Sequence, residues 1–277
     1  MIRILLSLFL LIAALPARAE VDIKEVTTPG GLSAWLVEDH SIPFVALELR
    51  FRGGASLDAE DKRGATNLMV GLLEEGAGEL DAQGFARARD ALAAKFSYDV
   101  SDDAVSVSAR VLTENRAAAM ELLRASLVEP NFAPDAVERV RQQVLSGLRS
   151  AQTDPRALMS KAMDRLVFGD HPYGSQLDGT PQSVEALSRA DIVAAHERAL
   201  TRDRVYISAV GDITEADLAS LLDDLLGDLP QEGAPLPGAA DLNLPGGVEV
   251  VPFETPQSVA AFAQRGVDRE DPDFFAA

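Results

Sequence analysis

The chain has no cysteine, only three histidines, few aromatic residues, and 25 basic residues against 44 acidic ones among its 277. Each shortage excludes a class of answers. Without cysteine there is no disulfide framework, and a chain of this size can build its core without one. The imidazoles are His40, His171 and His196, and no two of them have the spacing that places a pair of metal ligands on one helix face. A formal charge of −19, with no cluster of Lys or Arg to offset it, opposes a phosphate backbone or an anionic lipid surface. Nucleic acid is therefore excluded as a partner. The acidity reads first as solubility, and second as recognition of a basic substrate or partner. No Gly-x-Ser-x-Gly elbow is present, and Ser146-Gly147 falls within a helical stretch, so a serine nucleophile has no support. Gly76-Ala-Gly78 lacks the preceding strand that a dinucleotide-binding loop requires.

The apolar run in residues 1–19 follows an early arginine and ends in Ala17-Arg18-Ala19, the small-x-small pattern of signal-peptidase cleavage. It is too short to span a bilayer and has no stop-transfer segment behind it. The expectation is an exported chain, periplasmic in a bacterium, with no membrane insertion once the leader is removed.

From residue 20 to 229 the pattern predicts an α+β domain: a two-layer sandwich with helices packed on one mostly antiparallel sheet. Strands are expected at Val21–Thr27 and Leu32–Glu38 around the Pro29-Gly-Gly31 turn, then at Phe44–Arg52. A helix from Gly64 to Glu75 and a second from Asp81 to Ala94 precede a hairpin of Phe96–Val100 with Ala104–Val111. Further helices are expected from Thr113, as a cap, to Val128, at Ala133–Ala151 and at Pro155–Phe168. Two short helices, Pro181–Leu187 and Arg189–Leu200, strand Val205–Val210 and helix Thr214–Leu226 close the unit. Residues 230–247 read as a linker. Val248–Pro252 and Ser258–Ala263 read as new strands and Asp271 as a helix start, the opening of a second domain in residues 248–277.

Several segments together resemble the pitrilysin/insulinase-like metallopeptidases: Gly31–Asp39, Phe51-Arg-Gly-Gly-Ala-Ser56 with Arg63-Gly64, His171-Pro-Tyr-Gly174 with Gly179-Thr180, Asp191-Ile192, Val210-Gly-Asp212 and Thr255-Pro-Gln257. Their common order and spacing carry the resemblance over nearly the whole chain after the leader. It implies a zinc helix bearing His-x-x-Glu-His, in which two imidazoles hold Zn2+ and the Glu activates a water. Those places fall here on Asn67, Val70 and Gly71. The third ligand, a Glu on a later helix, falls on Gly147, with Leu148 as the alternative register; Glu138 is more than two turns away. Valine and glycine offer no donor, and an amide oxygen is a weak one for zinc. No zinc, cofactor or catalytic residue is therefore expected, although catalytic relatives use zinc.

The resemblance also implies a role. Members without ligands pair with a catalytic sister subunit, as a heterodimer, and help enclose extended peptide substrates. The Arg and Tyr that a second half contributes to active sites in this group lie beyond the residues present. Two alternatives stay open: a zinc-dependent endopeptidase with atypical ligands, and a stand-alone periplasmic peptide-binding module using its sheet edge. Among other candidates, His40 reads as a turn residue, His171 as a structural hydrogen-bonding group and His196 as a plain helix residue. Glu74-Glu75, Asp102-Asp103 and Asp223-Asp224 read as surface acids.

Overall fold

Alternation in the long strands decides the architecture. In β3 (Phe44–Arg52), Val45, Leu47, Leu49 and Phe51 point to one side and are buried, while Glu48, Arg50 and Arg52 are exposed on the other. β7 (Ala104–Leu112) pairs with it antiparallel, setting Val105 opposite Phe51 and Val107 opposite Leu49, so the apolar rows coincide. A computed structural model describes residues 21–254 and 256–276; the leader expected at residues 1–19 lies outside the described residues, as does Thr255.

The sheet also contains β1 (Lys24–Thr27), β2 (Ser33–Glu38), β6 (Lys95–Val100) and β8 (Val205–Gly211), in the order β1-β2-β8-β3-β7-β6. β2 and β8 run parallel and every other pairing in it is antiparallel. β8 thus separates two consecutive strands, and the chain returns to it only after a long helical excursion, as a parallel neighbour requires. β4 (Gly76–Ala77) and β5 (Leu80–Asp81) form a separate small ladder.

The helices cover one face: α1 (Ala65–Val70), α2 (Ala82–Ala91), α3 (Arg116–Val128), α4 (Pro134–Ala151), α5 (Pro155–Phe168), α6 (Pro181–Ala186), α7 (Arg189–Ala199) and α8 (Glu215–Leu226). Leu123 and Leu127 of α3, Ile192 of α7 and Leu218 and Leu222 of α8 join the strand residues in one core. The opposite face of the sheet stays open and displays Trp35, Tyr206 and Val210. This is the α+β sandwich that the sequence predicts.

Three expectations are corrected. The helix foreseen from Gly64 to Glu75 ends at Val70. Leu72, Leu73 and Glu75 then donate to Met69, Val70 and Leu72, three residues back, so the chain tightens into turns although its apolar residues continue. Thr113 does not cap α3: it lies in a 3-10 turn, and its hydroxyl donates to Asp212 at 2.8 Å. The strands expected at Val248–Pro252 and Ser258–Ala263 are not formed. With no partner strand, Val248 and Phe262 stand in solvent. Asp102 and Asp103 sit at the surface in the β6–β7 turn, as expected, and there accept from Arg63 and the Tyr173 hydroxyl.

Residues 230–247 have no regular structure, yet their first part is fastened down. The carbonyls of Pro230 and Gln231 accept from the amides of Arg202 and Asp203, Ala234 accepts from Arg204, and the Asn243 amide donates to Val167.

α1 has six residues, too few to stand alone, and its N-cap Gly64 has no side chain. Asp58 does the capping from upstream. Its buried carboxylate accepts from Gly64 N at 3.1 Å, from Thr66 N at 3.1 Å and from the Thr66 hydroxyl at 2.6 Å. Burial pushes this carboxyl above its usual range, while Thr66, Arg63 and Arg198 pull it back. Arg63, itself buried, donates to the carbonyls of Ala55, Pro172 (3.1 Å) and Ser175 (3.3 Å), tying the start of α1 to the loop after α5. The isosteric change Asp58→Asn sets an amide against backbone donors. It is expected to destabilise the fold by about 1–3 kcal/mol, measured by urea unfolding; an unchanged midpoint and slope would show that the cap is dispensable.

At the opposite end of the sheet His40 sits between two carboxylates, with Nδ1 2.6 Å from Asp212 and Nε2 3.0 Å from Glu38. Only the imidazolium donates to both. The hydrogen bond to Asp212, then that to Glu38, raises its pKa above the ordinary histidine value. The resulting stabilisation is fully present below the ordinary value and is lost as pH rises through the raised one. His196 acts in the opposite sense, because burial lowers its pKa. The test is therefore an NMR titration of His40 itself: a midpoint above 6.5 is expected, moving down in Asp212→Asn, and a midpoint at or below the ordinary value contradicts the geometry.

Candidate functional site

The start of α1 and the loop after α5 approach so closely that glycine is needed on both sides. Gly64 has φ +95°, and a Cβ there would stand 2.7 Å from the Asp178 carbonyl oxygen; a Cβ on Gly179 would strike the Arg63 carbonyl. Ser183 completes the contact by donating to the Arg63 carbonyl at 2.8 Å. Asp178 is thereby set beside the one polar side chain that α1 turns toward it. Asn67 Nδ2 donates to Asp178 Oδ1 at 3.0 Å.

Asn67, Val70 and Gly71 line a cavity of about 390 Å3 with Tyr98, Asp99 and Val100 of β6. Val140, Gln143 and Val144 of α4 and Leu177 complete it. Three of the four positions singled out in the sequence are thus brought together. The fourth is not among the lining residues: Gly147 lies one turn beyond Gln143 on α4, exposed, with no atom within 4 Å of where its Cβ would be. The group does not suit zinc. Val70 and Gly71 have no donor, the Asn67 amide is turned to Asp178, and a Cβ on Gly71 would stand 3.0 Å from Val140 Cγ1. Even a Cβ there would require the Val140 side chain to give by a few tenths of an ångström. Among the described residues, no group of three or more His, Cys, Asp or Glu is placed to hold a metal ion.

β6 is the edge of the sheet, paired to β7 on one side only, and its last three residues form a wall of the cavity. The edge is held from within. Ser126 donates to the Leu123 carbonyl at 2.8 Å, which leaves its oxygen to accept from the Tyr98 hydroxyl at 2.6 Å. Burial raises the Tyr98 pKa, so the phenol stays protonated and keeps donating. A larger hollow of about 570 Å3 lies elsewhere, lined by Glu48, Lys95 and Arg110 among serines and apolar strand residues. It contains none of the motif positions.

The remaining candidates are accounted for structurally. His171 Nδ1 accepts from Tyr173 N and its Nε2 lies 3.1 Å from the Gly238 carbonyl. His196 is buried and its Nε2 donates to the Leu127 carbonyl at 2.7 Å. Glu74 and Glu75 are paired with Arg89 and Arg139. Tyr98, Gln143 and Asp178 are among the lining or bordering residues that escape sequence reasoning. Gln143 precedes Gly147 by four residues, so helical phase signals that the two share a face. Nothing local signals Asp178, whose contact with Asn67 spans 111 residues.

Comparison with known proteins shows the same scaffold elsewhere. Residues 34–181 match the family model described as Insulinase (Peptidase family M16), and residues 186–277 match the one described as Peptidase M16 inactive domain. A Helicobacter pylori protein named as a non-peptidase homolog is 27% identical over 194 residues, covering 70% of this chain and 45% of that protein. A Mycobacterium tuberculosis protein named as an uncharacterized zinc protease is 25% identical over 224 residues, covering 79% and 51%. Among solved structures, the peptidase M16 inactive domain from Pseudomonas fluorescens superposes with a TM-score of 0.73 at 27% identity, over 77% of this chain and 52% of that one. Pitrilysin superposes at 0.69 with 16% identity, over 82% and 25%, which speaks for the fold alone. The chain spans about half the length of the curated relatives it matches. With its first family match covering more than half of its residues, and on the fold described above, the chain belongs to the insulinase family, peptidase family M16.

Proposed function

We propose that this protein is a non-catalytic, exported member of the insulinase family that receives extended peptides along β6 and works beside an active peptidase subunit. The observation that carries the proposal is the cavity between α1, β6 and α4, which keeps the form of a site while Asn67, Val70 and Gly71 supply neither a zinc donor set nor a general base. The matched inactive-domain model and the name of the Helicobacter pylori relative support the same reading. Export to the periplasm rests on the leader pattern of residues 1–19.

Peptide binding follows from the edge. An unpaired strand offers backbone donors and acceptors, and an added strand satisfies them while alternate side chains enter neighbouring pockets. Paired with a catalytic sister subunit, such a surface would hold substrate that the sister cleaves. A zinc endopeptidase with atypical ligands finds no support among the described residues, where no group of three or more His, Cys, Asp or Glu is placed to hold a metal. A stand-alone binding module shares the edge and differs only in having no sister.

Two measurements test this. Tagged protein recovered from its native compartment is expected to retrieve a peptidase with an intact His-x-x-Glu-His; consistent failure to do so removes the subunit reading and leaves the stand-alone module. Extended labelled peptides are expected to bind the full chain, and N-methylation of alternate ligand amides is expected to weaken them by about tenfold or more through loss of ladder hydrogen bonds. Equal binding by methylated and unmethylated peptides would rule out strand addition.

A further inference from the structure

Among the described carboxylates, burial pushes Glu48, Asp58, Asp102 and Asp178 above their ordinary range. The first three each feel an arginine: Arg50, Arg63 with Arg198, and Arg63. Among the described residues Asp178 has no cation beside it, and desolvation is the one cause of its shift. It is exposed and bonded to the neutral amide of Asn67, which lines the α1–β6 cavity together with the neighbouring Leu177. A carboxylate walled by protein on one side and lacking a counter-charge is strengthened as an anion when a cation arrives.

The cavity below it has the complementary character. Val70, Val140, Val144 and Leu177 give it apolar walls, and among the described residues no Lys or Arg lines it. An aliphatic stem ending in a cation suits such a space, with the stem against the valines and the head at the rim. The receiving group is also held in place. The backbone of Asp178 is locked against Gly64, and Asn67 orients its carboxylate. The overall charge of −19 draws basic peptides toward the chain from a distance.

We propose that the cavity takes one Lys or Arg side chain of a peptide laid along β6, with Asp178 receiving the cation and Asn67 holding that carboxylate in position. The inference rests on the strand-addition reading above and adds the class of peptide that the site selects. Asp178 is thus a specificity-determining residue, and it can be changed without touching the core.

The test uses the full chain and a set of extended labelled peptides in which one position is varied among Lys, norleucine and Glu. Norleucine keeps the apolar stem and drops the charge. The Lys peptide is expected to bind about tenfold more tightly than the norleucine peptide, as a charge-assisted hydrogen bond allows. Asp178→Asn should abolish that difference while leaving norleucine binding unchanged, and Asp178→Lys should reverse the preference toward Glu. A purely structural role for Asp178 would weaken all three peptides together and would overturn the proposal. Equal affinity of Lys and norleucine peptides for the unmodified protein would overturn it while leaving strand addition intact. If no peptide binds, both fall.

Discussion

The α1 region depends on the buried carboxylate of Asp58. A six-residue helix capped by a glycine has no means of its own to satisfy its first amides, and Asp58 supplies that means while Arg63 fastens the same turn to the loop after α5. Because the carboxylate is buried, removing it would leave several donors without partners in a place that water does not reach. The position of Asn67, Val70 and Gly71 against β6 follows from this knot.

That separation leaves the family fold independent of the residues at the motif positions. The groups that hold the site together, Asp58, Arg63, Gly64 and Gly179, lie at the base of α1 and in the loop it meets. The positions at which zinc ligands are expected lie farther along, on a surface that the core does not need polar. Val140 closes on Gly71 at the bottom of the cavity, and Asn67 turns to Asp178 at its rim. The same concavity then becomes a pocket with apolar walls and an acidic edge. Its free strand remains.

Much of this was legible in the sequence where the signal is local. Alternation gave β3 and the β6–β7 hairpin, and helical periodicity with Pro155 at its start gave α5 to the residue. Legibility failed where partners are distant. Leu72 and Leu73 continue an apolar helical pattern, yet their amides bond three residues back, and the strand pattern of Val248–Pro252 was read without knowing whether a neighbour would pair with it. The Asn67–Asp178 contact and the insertion of β8 between β2 and β3 depend on residues more than a hundred positions apart. Positions 67, 70 and 71 are legible because the family motif they stand in for is a contiguous one. Gly147 is the position that the resemblance implies for the third ligand, and the structure sets it outside the cavity lining.

The central claim is that a peptidase scaffold persists here without the means to hold zinc. Equilibrium dialysis of the purified protein against zinc, followed by metal analysis and a peptide-hydrolysis assay on the same sample, tests it most directly. The account predicts no stoichiometric zinc and no hydrolysis. One tightly held zinc per chain with hydrolysis that a chelator abolishes would contradict it.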